Sequence, residues 1–211
     1  MTEEEFIRRY PELFHMAHRD SRDMIEKYGL LSTTRLLELF EVDAQERLRL
    51  TTTRRKNYEA INTQHGEVHI RDNGPIHQKV LDEWLEDMSS DEWFTLLNSM
   101  VFFFPSEEHF DVLRKASAYR DDKHLKLVFD TRRLLDIYRD EVLISPINSG
   151  EARKTHGVDR RALRGNKTFQ KIDDYVGNPY LDPDKELDVR EVTVSGGRVG
   201  VLGLGAVISV V

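Results

Sequence analysis

Two hydrophobic patterns divide the chain: apolar residues at helical spacing, and short apolar runs of strand length. Phe6, Ile7 and Tyr10 predict a short helix over Glu3 to Tyr10, closed by Pro11. Leu13 to Ala17 predicts a strand. Asp20 predicts the N-cap of a helix that buries Met24, Ile25 and Tyr28, with Gly29 at its stop. Thr33 or Thr34 opens another helix carrying Leu36, Leu37, Leu39 and Phe40, and Ala44 to Leu50 adds a turn or two. Val68 and Ile70 mark a short strand ending at the turn Asp72-Asn73-Gly74-Pro75. Val80, Leu81, Trp84 and Leu85 share a helical face, and Ser89 with Glu92 has capping-box spacing for the next helix. Met100 to Phe104 is a continuous apolar run, the mark of a strand covered on both faces.

Ser106 is placed to cap a helix with Phe110 and Leu113. Leu125 to Phe129 reads as a strand, Thr131 to Tyr138 as a helix and Val142 to Ile144 as a strand. Ser145 to Tyr180 is irregular, first basic and then aromatic, and so long a stretch is more often a functional loop than filler. Val189 to Val194 alternates as a strand. Ser195-Gly196-Gly197 is a hairpin signal, and Val199 to Val211 is the return strand or strands, bent at Gly203 and Gly205. Helices gather early and strands in the middle and at the end, which is an α+β pattern.

The length, 211 residues, fits a single domain over 1–211 that buries its own core. The absence of cysteine excludes disulfides, thiolate zinc sites and cysteine nucleophiles, and fits a reducing, cytoplasmic setting. Met1 to Tyr10 is too polar and acidic for a signal peptide, and the Val199–Val211 run is too short and glycine-broken for a membrane helix. A net charge of −7 argues against a broad basic face for nucleic acid. Positive charge is nevertheless concentrated in two places. Arg153, Lys154, Arg160, Arg161, Arg164 and Lys167 form one cluster, and Arg54, Arg55 and Lys56 another. Each is either solvated loop charge or an anion site.

No phosphate-binding glycine loop, nucleophile elbow or HExxH motif is present. His15 and His18, three apart on an extended segment, point differently, so no metal site is expected.

The stretch Leu13-Phe14-His15-Met16-Ala17-His18, continuing through Ser21 and Ile25 to Gly29-Leu30, resembles the opening of the ADP-ribosyltransferase-like superfamily. It is most similar to the toxin branch that modifies thymidine in single-stranded DNA, with Ala17 where that branch has threonine. Three further segments carry the likeness: Arg54-Arg55; Val68-His69-Ile70-Arg71 with Pro75-Ile76; and Arg190-Glu191-Val192-Thr193-Val194. Met100 to Phe104 and Ser145-Pro146-Ile147-Asn148-Ser149-Gly150 instead resemble an uncharacterised bacterial family with the same opening.

The resemblance implies a split mixed β-sheet with helices clustered in the N-terminal half, and mono-ADP-ribosyl transfer from NAD. Glu191 is implied as the carboxylate beneath an oxocarbenium-like ribose, and Arg55 as the second catalytic residue, with Arg54 or Arg55 meeting the pyrophosphate or positioning substrate. His15, Met16, Ala17 and Arg54 are implied to hold the cofactor. The basic cluster is implied to meet single-stranded DNA or RNA. Val189 stands where relatives often carry an acidic residue or glutamine that selects protein acceptors, which leans toward a nucleic-acid acceptor. The superfamily architecture requires the strands of His15 and Glu191 to border one cleft.

Blander roles compete at each position. His15 also suits a core, Glu191 a solvent-facing strand, and Arg54 and Arg55 surface ion pairs; Phe102 to Phe104 suits a core better than a nicotinamide platform. Two alternatives follow: a non-catalytic nucleotide-binding or protein-interaction domain of the same fold, or an interaction protein whose basic loop docks an acidic partner.

Overall fold

The computed structural model describes residues 1–64, 66–71, 73, 76–117, 119–153, 163–177 and 188–211. The chain begins with α1 (Glu3–Arg9), β1 (Glu12–His18), a 3-10 turn at Arg19–Ser21, α2 (Arg22–Tyr28) and β2 (Leu30–Leu31). Next come α3 (Thr33–Leu39), α4 (Ala44–Thr52), the hairpin of β3 (Glu59–Thr63) and β4 (Gly66–Ile70), α5 (Gln78–Trp84) and α6 (Ser90–Ser99). β5 (Val101–Phe103), α7 (Glu107–Arg114), β6 (His124–Asp130), α8 (Thr131–Tyr138), β7 (Val142–Ser145), β8 (Glu191–Val194), β9 (Arg198–Val199) and β10 (Val207–Val210) complete it. The fold is α+β.

Local chemistry sets several boundaries. Ser89 and Glu92 form the expected capping box at α6, satisfying two helix-end amides. Asp130 ends β6 and caps α8 by accepting from the Arg133 amide. At α2, Asp20 is not the N-cap. It lies in the 3-10 turn, and Ser21 takes the cap position without a side-chain bond.

Two three-stranded sheets form the centre, in the orders β1-β6-β10 and β5-β8-β7. A single antiparallel bridge joins them, with Phe14 and Phe104 exchanging backbone hydrogen bonds of 2.9 and 2.7 Å. The pairs between strands are all antiparallel among the described residues. Among the described residues, parallel pairing occurs only in the isolated bridges Ile76–Ala152 and Leu85–Arg164, so the described strands do not form the mixed sheet that the resemblance implied.

The main core joins both sheets to α1 and α8 through Phe6, Leu13, Phe103, Leu127, Phe129, Leu134 and Val192. Each such side chain contributes about 1.5–3 kcal/mol on burial. A second cluster packs α5 and α6 through Ile76, Trp84, Trp93 and Phe94, and a third packs α3 and α4 under β4.

The glycine turn after β8 is not a hairpin. β8 pairs with β5 and β7, whereas β9 pairs with β2, so the turn carries the chain from one sheet to another. The C-terminal run is likewise split between β9 and β10.

Candidate functional site

His15 marks the place where the two sheets part. β1 runs beside β5 only at the Phe14–Phe104 bridge, and beyond it the Nδ1 of His15 takes the backbone oxygen of Phe102 at 2.7 Å. A carbonyl only accepts, so Nδ1 carries the proton and Nε2 keeps its lone pair. His15 is half-buried as a residue, and burial of its ring pushes the pKa down to about 4, with the Phe102 carbonyl opposing and the Arg71 charge reinforcing the shift. His15 is therefore a neutral, oriented acceptor at neutral pH. Met16 is buried and Ala17 half-buried beside it, while His18 lies on the other face and stacks on His69 at 4.4 Å.

Glu191 opens β8, paired with Ser145 at the end of β7. After Ser145 the chain reverses. The Ser145 hydroxyl accepts from the Ile147 amide at 3.2 Å and donates to the Ile147 carbonyl at 3.0 Å. The reversal brings the Ser149 amide to Glu191, where it donates to Oε2 at 3.0 Å. Burial pushes the Glu191 carboxyl up to about 7. The Ser149 hydroxyl and amide, the Arg164 charge and the Gly150 amide hold it from rising further. The Ser149 hydroxyl lies against this carboxyl and is buried, yet meets full hydrogen-bond geometry with no group. A carboxyl poised near neutrality can both give and take a proton.

Arg164 stands behind this turn. It is 1% exposed, lies 5.1 Å from the Trp84 ring, and donates to the carbonyls of Asn148 (3.1 Å) and Glu151. Burial lowers its pKa to about 10, against the attraction of Glu191 and Glu151.

The strands expected to border one cleft are separated by β5: β1 bridges the end of β5, and β5 pairs with β8. Two strand spacings, about 10 Å, separate the backbones of β1 and β8. The side chains do not share a face. His15 contacts Phe103 at 5.9 Å on the main-core side, where Val192 also lies; Glu191, one residue from Val192, projects to the face of Thr193 and Phe102.

Arg55 is an internal tie rather than a substrate clamp. It is 5% exposed, and its guanidinium donates to the carbonyls of Leu50 and Arg71 (3.0 Å) and to Asn98 Oδ1 (2.9 Å). Those bonds join α4, the residue after β4 and α6, which is why the group is not directed at a ligand. Arg54 is half-buried next to it. Of the basic cluster, Arg153 and Lys167 are exposed and Arg153 pairs with Glu151. Arg164 faces inward and is closed to a polyanion, while Lys154, Arg160 and Arg161 lie outside the described residues.

Sequence reasoning assigned no role to Ser149 or Gly150. The polar turn Ser145-Pro146-Ile147-Asn148-Ser149-Gly150 was the available signal, but it names no partner, and Glu191 lies 42 positions away.

No curated protein matches the sequence. Residues 11–202 match a family model described as a family of unknown function (DUF7002). With nearly the whole chain inside that match, the protein belongs to DUF7002.

Proposed function

We propose that the protein is an NAD-dependent ADP-ribosyltransferase-like enzyme in which Glu191 is the working carboxylate. The observation that carries this reading is the Glu191 carboxyl itself, brought to about 7 and gripped by the Ser149 amide at 3.0 Å. In the proposed reaction the bond between nicotinamide and C1′ of its ribose breaks, and the electron pair leaves with nicotinamide. The acceptor's lone pair forms the new bond at C1′. Ionised Glu191 stabilises the positive charge developing on the ribose and takes the proton the acceptor loses. The buried Ser149 hydroxyl, set against the Glu191 carboxyl, favours its ionised form together with the Ser149 amide. His15, on the main-core side with Phe103, does not face the ribose that Glu191 would serve and has no part in this step. Arg55 has no part in this mechanism because its donors are committed to Leu50, Arg71 and Asn98.

Nucleic acid remains the favoured acceptor, through the exposed Arg153 and Lys167. Binding of single-stranded DNA should then weaken steeply with salt, because neutralised phosphates release counterions. Salt-insensitive binding, or none to DNA or RNA, removes nucleic acid as the acceptor.

A second reading is a non-catalytic nucleotide-binding domain of the same fold. The specific observation in its favour is that His15 and Glu191 project to opposite faces, from strands on either side of β5. Melting with and without NAD, followed by an assay for free nicotinamide, separates the two. A raised melting temperature with turnover supports the enzyme, and a raised melting temperature without turnover supports the binder. No shift and no turnover removes NAD from both.

A further inference from the structure

We propose that Arg164 is a positioning residue for Glu191, acting through the turn from Asn148 to Glu151. The inference rests on Glu191 being the working carboxylate, and it concerns how that group is held. Arg164 is anchored at the backbone: its amide donates to the Trp84 carbonyl at 2.9 Å, and its carbonyl accepts from the Glu86 amide at 3.0 Å. The next residues fix the same seam. The Asn166 amide donates to Asp87 Oδ1 at 2.9 Å, and a Cβ on Gly165 would stand 2.1 Å from that oxygen. From this base at the end of α5 the guanidinium reaches past the Trp84 ring to the carbonyls of Asn148 and Glu151.

Those two carbonyls bracket the residues that hold Glu191. Ser149, between them, gives its amide to Oε2, and the Gly150 amide also favours the ionised carboxyl. A planar guanidinium grips two carbonyls in a fixed geometry, whereas a lysine ammonium is a point charge on a flexible stem. Arg164 thus acts on Glu191 in two ways: by a through-space attraction that lysine shares, and by ordering a turn that lysine does not order. A cluster of basic residues conceals this role, because Arg153 and Lys167, its other described members, are exposed.

The test titrates Glu191 directly and needs neither NAD nor turnover, so its failure is distinct from failure of the transferase reading. Side-chain carboxyl carbons are followed by carbon-13 NMR against pH in wild type, Arg164→Lys and Arg164→Met, with Glu191 assigned by its loss in Glu191→Gln. The amide protons of Ser149 and Gly150 are followed in the same samples. In wild type the carboxyl should titrate near 7 and both amides should titrate with it. In both variants the amides should stop following the carboxyl, and its midpoint should rise by on the order of one pH unit. Wild-type behaviour in Arg164→Lys would show that charge alone matters and overturn the positioning role. So would Ser149 and Gly150 amides that ignore the Glu191 titration in wild type, a measurement independent of whether either variant folds.

Discussion

The Nδ1–H of His15 meets the backbone oxygen of Phe102 at 2.7 Å, across the gap that opens where β1 leaves β5. The contact replaces a backbone pairing that the diverging strands do not make and fixes the Nδ1–H tautomer, while burial, against the pull of this carbonyl, keeps the imidazole neutral. The folded pKa is about 4, below the ordinary 6.5. Between those values the unfolded chain binds a proton that the folded chain refuses. His15 therefore supports stability fully above 6.5, and that support is lost as pH falls toward 4, by on the order of 2–3 kcal/mol. His15→Gln lacks this proton-linked loss. Its melting temperature relative to wild type should improve between pH 7 and pH 4, and a constant difference would contradict the assignment.

Glu191 carries the opposite sign. Its folded pKa of about 7 lies above the ordinary 4.5, so the folded chain keeps a proton that the unfolded chain releases. The stability linked to that proton is fully present below 4.5 and is lost as pH rises through 7, by on the order of 2–3 kcal/mol. Glu191→Gln should be more stable than wild type at pH 8, with the advantage shrinking toward pH 5. Equal melting temperatures at pH 8 would show that the carboxylate is not held at a cost. Because His15 and Glu191 pull in opposite directions between pH 4.5 and 6.5, their separate contributions show only in the single variants.

Gly29 and Gly66 both have positive φ, at +82° and +116°, but differ in their surroundings. A Cβ on Gly29 would stand 2.4 Å from the Val199 carbonyl, in the strand that pairs with β2, whereas Gly66 faces open space. Gly29→Ala should cost about 3 kcal/mol or more, backbone strain plus displacement of β9. Gly66→Ala should cost about 1–2 kcal/mol, from strain alone. Denaturant unfolding of both variants measures the difference, and equal costs would mean that the Gly29–Val199 contact relaxes freely.

Arg55 should register in stability rather than chemistry. Arg55→Met leaves the carbonyls of Leu50 and Arg71 and the Asn98 amide oxygen without their donor. Abandoned buried acceptors cost about 1–3 kcal/mol each. The melting temperature should drop by several degrees in the absence of any ligand. An unchanged melting temperature with lost turnover would restore Arg55 to the catalytic machinery.

Much of the fold was legible because its signals are local. The capping box at Ser89, the helix over Thr131–Tyr138 and the strand through His15 depend on neighbours a few residues away. β3 was not legible. Glu59 to Thr63 has Ile61 as its only large apolar residue, and its strand character comes from pairing with β4. The turn Ser195-Gly196-Gly197 announced a reversal but not the next partner, which is β2, far back in the chain. The site divides in the same way. Glu191 stood out as a carboxylate on a strand, but the inward role of Arg164 depends on Trp84 and Asn148, which only the folded chain brings to it. Arg55 misled because the resemblance placed it in the catalytic machinery, and nothing local distinguishes a guanidinium that will tie three segments together.

The transferase reading turns on one comparison: nicotinamide release from NAD by wild type and Glu191→Gln, with single-stranded DNA, RNA and lysate protein offered as acceptors. An electrostatic group that acts in the transition state contributes on the order of a hundredfold or more to the rate and little to ground-state binding. The expected result is release by wild type and a loss of that size in Glu191→Gln, with NAD affinity nearly unchanged. Equal release by both proteins would exclude Glu191 as the catalytic carboxylate, and wild type that neither binds NAD nor releases nicotinamide would contradict the transferase reading itself.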